Sequence, residues 1–150
     1  MDLILWRHAD AEDANGRVSD IDRPLTERGR KQAQRIAEWL RSQHTKNLRV
    51  FTSPARRAMQ TAQALGVPVK VNKQLAIGAS PVELLAAAEW PDHAGATILV
   101  GHQPALGRLA SLLLSGAEAD WTIKKGGVWW FTNRVRHDET QTVLRAVLNP

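Results

Sequence analysis

Three short apolar runs of the chain lead directly into basic or imidazole-bearing residues. The run at 3–6 is followed by Arg7 and His8, the run at 50–52 by a Ser-Pro-Ala-Arg-Arg segment, and the run at 97–100 by Gly101 and His102. If these runs are parallel strands, their carboxyl ends meet at one edge of a sheet, which is where ligands bind in open α/β folds. We therefore expect these side chains to converge on one site, although they are far apart in sequence.

The arginines point to an anion as the ligand of that site. Arg56 and Arg57 stand in the first turn of a predicted helix, where a cation opposes the helix dipole at a cost of typically about 0.3–1 kcal/mol. An anion bound at the helix N-terminus removes this conflict. Arg7 would add a second guanidinium fork of the kind that binds phosphate in a bidentate manner. Either helix arginine alone is explained as well by pairing with a surface carboxylate, and only one of the two needs to face the site.

His8 is suited to attack the phosphorus of a phosphoryl group bound between these arginines. Attack requires a neutral imidazole, and neighbouring guanidiniums lower a histidine pKa. The same cations stabilise the negative charge of the transferring group. His102, when protonated, would donate a further hydrogen bond to it. The alternatives are a core histidine or a metal ligand at position 8, and a strand-end histidine bonded to the backbone at position 102.

Metal binding is the weaker of these alternatives. The five histidines, at positions 8, 44, 93, 102 and 137, show no HExxH pair or other dense ligand spacing. We expect no metal and no cofactor.

The rest of the chain alternates strand-like and helix-like segments. We predict strands at 3–6, 48–52 and 97–100, a short strand within 67–75, and two or three closing strands in 121–134 and 141–148. Four helices are predicted at 27–42 with Thr26 as N-cap, from Pro54 to Gly66 with Ser53 as N-cap, at 80–90 and at 104–114. This order predicts an α/β fold: a three-layer α/β/α sandwich whose sheet is mostly parallel, with antiparallel strands at one edge.

Composition is that of an ordinary globular domain. The chain has 150 residues, a net charge of +5 and no cysteine, and no apolar stretch approaches the length of a membrane span. We expect a single domain over 1–150 that is cytoplasmic and monomeric, without a signal peptide and without membrane or nucleic-acid binding. The positive charge admits acidic partners, although a solvated basic surface explains it as well.

Four segments in this order resemble the histidine phosphatase superfamily, the phosphoglycerate-mutase-like phosphatases. LILWRHADAE is similar to the Arg-His-Gly signature, with Ala9 in place of the usual Gly; RPLTERGRKQA is similar to the Leu-Thr-x-x-Gly helix start; TSPARRAMQTA and ILVGHQP are similar to the two remaining motifs. The resemblance selects Arg57 over Arg56 as phosphate ligand and implies transient phosphorylation of His8, followed by hydrolysis. Compact size, the RPLT element and the GGVWWF segment resemble the SixA-type phosphohistidine phosphatases most.

One departure from the family bears on the substrate. Many relatives carry an acidic proton donor after the third strand, but no carboxylate occurs here between Glu38 and Glu83. An alkoxide needs protonation as it leaves, whereas imidazole, with a conjugate-acid pKa of about 6.5, leaves readily. We therefore expect a phosphatase that acts on phosphohistidine of a protein.

Other functions stay open from the sequence. Asp10, Glu12 or Asp22 could fold over the site and donate the proton, which would favour a phosphatase of small phosphate esters. A non-catalytic module that binds phosphate or a phosphoprotein is the alternative of another class, although two histidines are not needed for binding alone.

Overall fold

A computed structural model of the chain describes all residues, 1–150, as a six-stranded sheet with helices on both faces. The strands are β1 (Asp2–Arg7), β2 (Arg49–Thr52), β3 (Lys70–Val71), β4 (Ala96–Gly101), β5 (Val128–Arg136) and β6 (Glu139–Leu148). The helices are α1 (Glu27–Ser42), α2 (Arg56–Gln63), α3 (Pro81–Ala88) and α4 (Ala105–Ser115), and two 3₁₀ turns cover Asp20–Asp22 and Lys73–Leu75.

The sheet has the strand order β3-β2-β4-β1-β5-β6. The first four strands in this order pair in parallel, and β5 and β6 add an antiparallel edge beside β1. The predicted fold class is therefore confirmed. Strands β2, β4 and β1 are direct neighbours, as the convergence of their carboxyl ends requires.

Two apolar layers hold the helices against the sheet. Alternate residues of β1 point to opposite faces, so that Ile4 and Trp6 pack with α1 and α2, while Leu3 and Leu5 pack with α3 and α4. Both layers are fully buried at these positions. Because β1 is clamped from both sides, its carboxyl end with Arg7 and His8 is a rigid part of the molecule.

The helix α1 matches its predicted bounds and cap. The Thr26 side chain accepts a hydrogen bond from the Gly29 amide at 2.9 Å, and Ala33, Ile36, Ala37 and Leu40 form the buried stripe. In α3 the predicted Ser-Pro start is present as a capping box between Ser80 and Glu83. Local sequence signals therefore decide these two helix starts.

Two predicted elements are wrong in their bounds. Helix α2 begins at Arg56, two residues after Pro54, and its N-cap is Ala55 without a side-chain hydrogen bond. Ser53 lies three residues before the helix, and its hydroxyl bonds to the Ala55 amide at 3.1 Å and to His102 at 2.7 Å. Residues 121–127 form a loop rather than a strand, and the closing strands number two. None of the four helices combines the length and the apolar character that crossing a membrane requires.

Candidate active site

The carboxyl ends of β1, β4 and β2 bring the predicted site residues together. The register pairs Arg7 with Gly101 and Thr52 with Val100, so that His8, His102 and Ser53 each follow the end of a neighbouring strand. The imidazole rings of His8 and His102 lie 5.2 Å apart between centroids. The structure thus places at one edge the groups that the sequence predicted there, and their catalytic roles remain predictions.

The tautomer of His8 follows from its hydrogen bond. Its Nδ1 lies 2.8 Å from the carbonyl oxygen of Ala9, and a carbonyl can only accept, so Nδ1 carries the hydrogen. In the neutral ring, Nε2 then holds the free lone pair. An imidazole fixed in this way presents Nε2 as the nucleophilic atom.

The loop after β1 is held in place by two neighbouring helices. The Ala9 amide donates to the Thr61 hydroxyl of α2 at 3.0 Å, and the Asp10 carbonyl accepts from the Thr26 amide at 3.0 Å. A β-carbon at Gly29 would lie 1.9 Å from the Asp10 carbonyl oxygen. Glycine is therefore required there for α1 to approach the loop, which gives a physical reason for the Leu-Thr-x-x-Gly pattern. The methyl group of Ala9 is accommodated, since it is fully buried in the core.

Burial keeps His8 neutral. Burial, reinforced by Arg57, Arg7 and Arg23 and opposed by the hydrogen bond to Ala9, lowers the pKa of His8 to about 4. At neutral pH the lone pair on Nε2 is therefore available for attack.

His102 is neutral as well in the free protein. Burial, followed by the proximity of His8 and Arg57, lowers its pKa to about 3. Its Nε2 lies 2.7 Å from the hydroxyl oxygen of Ser53, which also accepts a hydrogen bond from the Ala55 amide. An anion bound between the arginines would favour the protonated form of His102.

Arg57, and not Arg56, faces the site. Its side chain is 5% exposed, whereas Arg56 is exposed to solvent. Arg57 donates from Nη1 to the carbonyl oxygen of Asp20 at 2.7 Å, and its Nη2 pairs with the Asp20 carboxylate at 3.3 Å. Arg7 donates from Nη1 to the Ile123 carbonyl at 2.9 Å.

Both guanidiniums retain one buried donor without a partner. The Nε–H groups of Arg7 and Arg57 are buried and have no acceptor. Such a donor carries a desolvation cost that an anionic acceptor would offset. The arrangement therefore suits an anion bound beside the imidazoles.

The carboxylates that the sequence suggests as proton donors are either hydrogen-bonded to other groups or exposed to solvent. Asp10 accepts from the Thr26 hydroxyl at 2.8 Å and from Lys125 at 3.2 Å. Burial acts to raise its pKa, but these two partners outweigh it, and the net pKa of Asp10 is lowered. Asp22 accepts from the Ser19 hydroxyl at 2.6 Å, and the Glu12 side chain is exposed.

Sequence reasoning missed the two loop residues that contact the site. Asp20 binds Arg57, and Arg23 pairs with Asp20 at 3.0 Å. Burial acts to raise the pKa of Asp20, yet Arg57 and Arg23 lower it below its usual value overall, so the carboxylate is ionised at neutral pH. The three-residue spacing within SDIDRP was the available signal, because it allows a pair across a 3₁₀ turn.

The sequence resembles known proteins over part or most of its length. A family model described as histidine phosphatase superfamily (branch 1) matches residues 3–76. A 6-phosphofructo-2-kinase/fructose-2,6-bisphosphatase of Gallus gallus is 42% identical over 74 residues, 49% of this chain but only 16% of that protein. An uncharacterized protein of Picosynechococcus sp. is 32% identical over 136 residues, 85% of this chain and 82% of its own length.

Solved structures resemble the whole chain. The protein histidine phosphatase SixA complexed with tungstate superposes with a TM-score of 0.78 at 24% identity, covering 99% of this chain and 97% of that one. A putative phosphohistidine phosphatase SixA from Nakamurella multipartitia superposes with a TM-score of 0.75 at 28% identity, covering 99% of this chain and 95% of that one.

The depressed histidine pKa values predict a specific titration. In NMR spectra assigned with His8→Asn and His102→Asn, the ring resonances of His8 and His102 should show titration midpoints near pH 4 and pH 3, and neither of these two rings should titrate near pH 6.5. The unfolded chain binds these protons near pH 6.5 and the folded chain does not, so the free energy of unfolding should fall as pH drops from about 6.5 to about 4. A midpoint for His8 between pH 6 and 7 would contradict the assigned environment.

The two adjacent arginines should differ in activity. Arg57→Ala should lower kcat/KM by about 10²-fold or more, the effect of removing one preorganised charge donor. Arg56→Ala, the matched control one residue away, should change it little because its side chain is exposed. Thermal melts of both variants separate loss of catalysis from loss of fold, and a larger defect in Arg56→Ala would show that the wrong arginine was chosen.

Proposed function

The chain belongs to the histidine phosphatase superfamily, and we propose that it is a phosphatase that removes phosphoryl groups from phosphohistidine of another protein. One observation carries the proposal. His8 is neutral with Nε2 free for attack, while the nearby carboxylates of Asp10 and Asp20 are ionised and cannot act as acids. This combination suits a leaving group that departs without help from a protein acid.

In the first step Nε2 of His8 attacks the phosphorus. A bond forms between Nε2 and phosphorus while the bond from phosphorus to the substrate imidazole breaks, and its electron pair stays on that nitrogen. With its other nitrogen already protonated, the substrate ring leaves as neutral imidazole. Arg7, Arg57 and His102 hold the phosphoryl oxygens during the transfer.

In the second step water releases the phosphoryl group. The Ala9 carbonyl keeps the hydrogen on Nδ1, so phosphorylation of Nε2 produces a cationic ring. Water attacks the phosphorus, the Nε2–phosphorus bond breaks, and its electron pair returns to Nε2. The proton of the water leaves with phosphate or to solvent, and His8 is again neutral.

The shape of the edge also supports a protein substrate. Only three residues, 53–55, separate β2 from α2, and only three, 102–104, separate β4 from α4. No cap is inserted at either crossing. A histidine presented on the surface of another protein can therefore approach the site past these two crossings, and only the segment between β1 and α1, through Asp20, lies against Arg57.

A second candidate is a phosphatase of small phosphate esters. It is favoured by the identity of 42% with a 6-phosphofructo-2-kinase/fructose-2,6-bisphosphatase over 74 residues, 49% of this chain. Ester cleavage would need a proton donor, and Asp20 is the carboxylate in contact with Arg57. Its lowered pKa makes it a poor acid at neutral pH, so the phosphohistidine substrate is preferred.

A substrate panel tests the proposal. We expect kcat/KM to follow leaving-group quality, with phosphohistidine protein and p-nitrophenyl phosphate turned over and alkyl phosphates such as phosphoserine nearly inert. Because the chemistry uses only protein groups, EDTA should not lower the rate, and added Mg²⁺ or Zn²⁺ should not raise it. His8→Asn serves as the inactive control for each substrate. Alkyl phosphate turnover as efficient as that of phosphohistidine would refute the proposal and establish the ester phosphatase.

A further inference from the structure

A basic cleft runs from Arg7 along the exposed side of α1. It consists of two adjoining depressions of about 490 and 530 Å³, which share Arg28, Gln32 and Pro150. The remaining lining residues are Arg7, Asp10, Thr122, Lys124, Lys125 and Asn149 nearest the site, and Glu27, Lys31 and Arg35 further along the helix. We call this surface the α1 cleft.

Most of the net positive charge of the protein is concentrated in the α1 cleft. Its lining carries six Lys and Arg side chains and two carboxylates, a net charge of +4, while the whole chain has a net charge of +5. The rest of the surface is therefore nearly balanced. A basic surface on which the charges are evenly spread, which would also explain the composition, does not describe this distribution.

Four of these six cations have no carboxylate partner within the protein. Lys31 pairs with Glu27 at 3.3 Å and Lys125 with Asp10 at 3.2 Å. Arg7, Arg28, Arg35 and Lys124 form no salt bridge. Arg28 also lies in the first turn of α1, where a cation opposes the helix dipole. Stability of the fold does not account for this arrangement, whereas binding of an extended anion does.

The spacing of the cations indicates the shape of that anion. Positions 28, 31 and 35 recur at the period of one helix face, and at 1.5 Å per residue they span about 10 Å along α1. The row begins beside Arg7 and leads away from the imidazoles. One phosphate cannot reach from the site to Arg35, but a peptide segment with several carboxylates can.

We propose that the α1 cleft docks an acidic segment of the phosphohistidine protein, close to the phosphorylated histidine. The inference rests on the proposed function, because it requires a protein substrate. The cleft is lined by no aromatic side chain on which nucleotide bases could stack, which favours an acidic peptide over a single-stranded nucleic acid. Charges at the rim of such an encounter act mainly on the rate of association, and hence on kcat/KM.

The test uses two phosphohistidine peptides of equal length, prepared with phosphoramidate. Each carries one histidine between eight-residue flanks, rich in glutamate in the first peptide and in glutamine in the second. The wild-type protein should prefer the glutamate peptide in kcat/KM by about tenfold at low salt, and the preference should vanish near 1 M NaCl, where the screening length is about 3 Å. Arg28→Glu/Arg35→Glu should abolish or reverse the preference and leave the glutamine peptide within about twofold.

Arg136→Glu is the control, and it is matched in net charge to Arg28→Glu alone. Arg136 is exposed, forms no salt bridge and lies at the far end of the β5–β6 hairpin, about 26 Å along β5 from Val128. This variant should keep the wild-type preference. Equal losses on both peptides in the cleft variant, or an equal loss of preference in Arg136→Glu, would overturn the docking site.

The remaining outcomes separate the two proposals. A wild-type protein that hydrolyses both peptides equally at low salt overturns the docking site alone. A wild-type protein that hydrolyses p-nitrophenyl phosphate but neither peptide overturns the phosphohistidine function and the docking site with it. Competition by oligouridylate and not by polyglutamate would reassign the cleft to nucleic acid. A preference for fructose bisphosphate over monophosphate that Arg28→Glu removes would reassign it to the second phosphate of a small ester.

Discussion

His8 donates its Nδ1 hydrogen to the carbonyl oxygen of the next residue in the chain, Ala9. This short bond fixes both the orientation of the imidazole and the nitrogen that carries the lone pair. It depends on the path of the loop after β1, which is held by the Thr61 hydroxyl of α2, accepting from the Ala9 amide, and by the Thr26 amide, donating to the Asp10 carbonyl. The packing of two helices against the sheet therefore determines the nucleophilic atom.

Burial of His8 beside the arginines determines which groups of the site are charged. An imidazole enclosed beside guanidiniums loses its proton, while the guanidiniums keep their charge and retain buried donors without an acceptor. Asp20 occupies part of the hydrogen-bonding capacity of Arg57. While it is bound to Arg57, Asp20 is ionised and cannot protonate a poor leaving group. The charges of the site thus favour a substrate whose leaving group departs without protonation by an acid of the enzyme.

Much of the fold and of the site could be predicted because the signals were local. Apolar runs that end in Arg7, His8 and His102 are visible in the sequence, and parallel pairing brings their ends together without further information. The α1 cap and stripe are likewise local. The choice of Arg57 over Arg56 came from a motif, and the first turn of α2 shows its physical basis, since one arginine points inward and the other toward solvent.

The failures concern contacts made between distant segments. Ser53 has the position of a helix cap, but its hydroxyl lies against His102, 49 residues away. Asp20 reaches Arg57 across 37 residues, and no periodicity marks such a pair. Residues 121–127 look like a strand because Trp121 and Ile123 are apolar, yet they form a loop that supplies the Ile123 carbonyl to Arg7. Its close packing on α4 requires Gly107, where a β-carbon would lie 1.7 Å from the Trp121 carbonyl oxygen.

The identity of the phosphorylated atom tests the central claim most directly. After rapid mixing with a phosphohistidine protein and quenching in alkali, in which phosphohistidine survives, the phosphoenzyme can be digested and its phosphopeptide examined by mass spectrometry and ³¹P NMR. The phosphoryl group is expected on Nε2 of His8. A phosphoryl group on Nδ1 or on His102, or turnover without any phosphoenzyme, would contradict the assignment of His8 as the nucleophile.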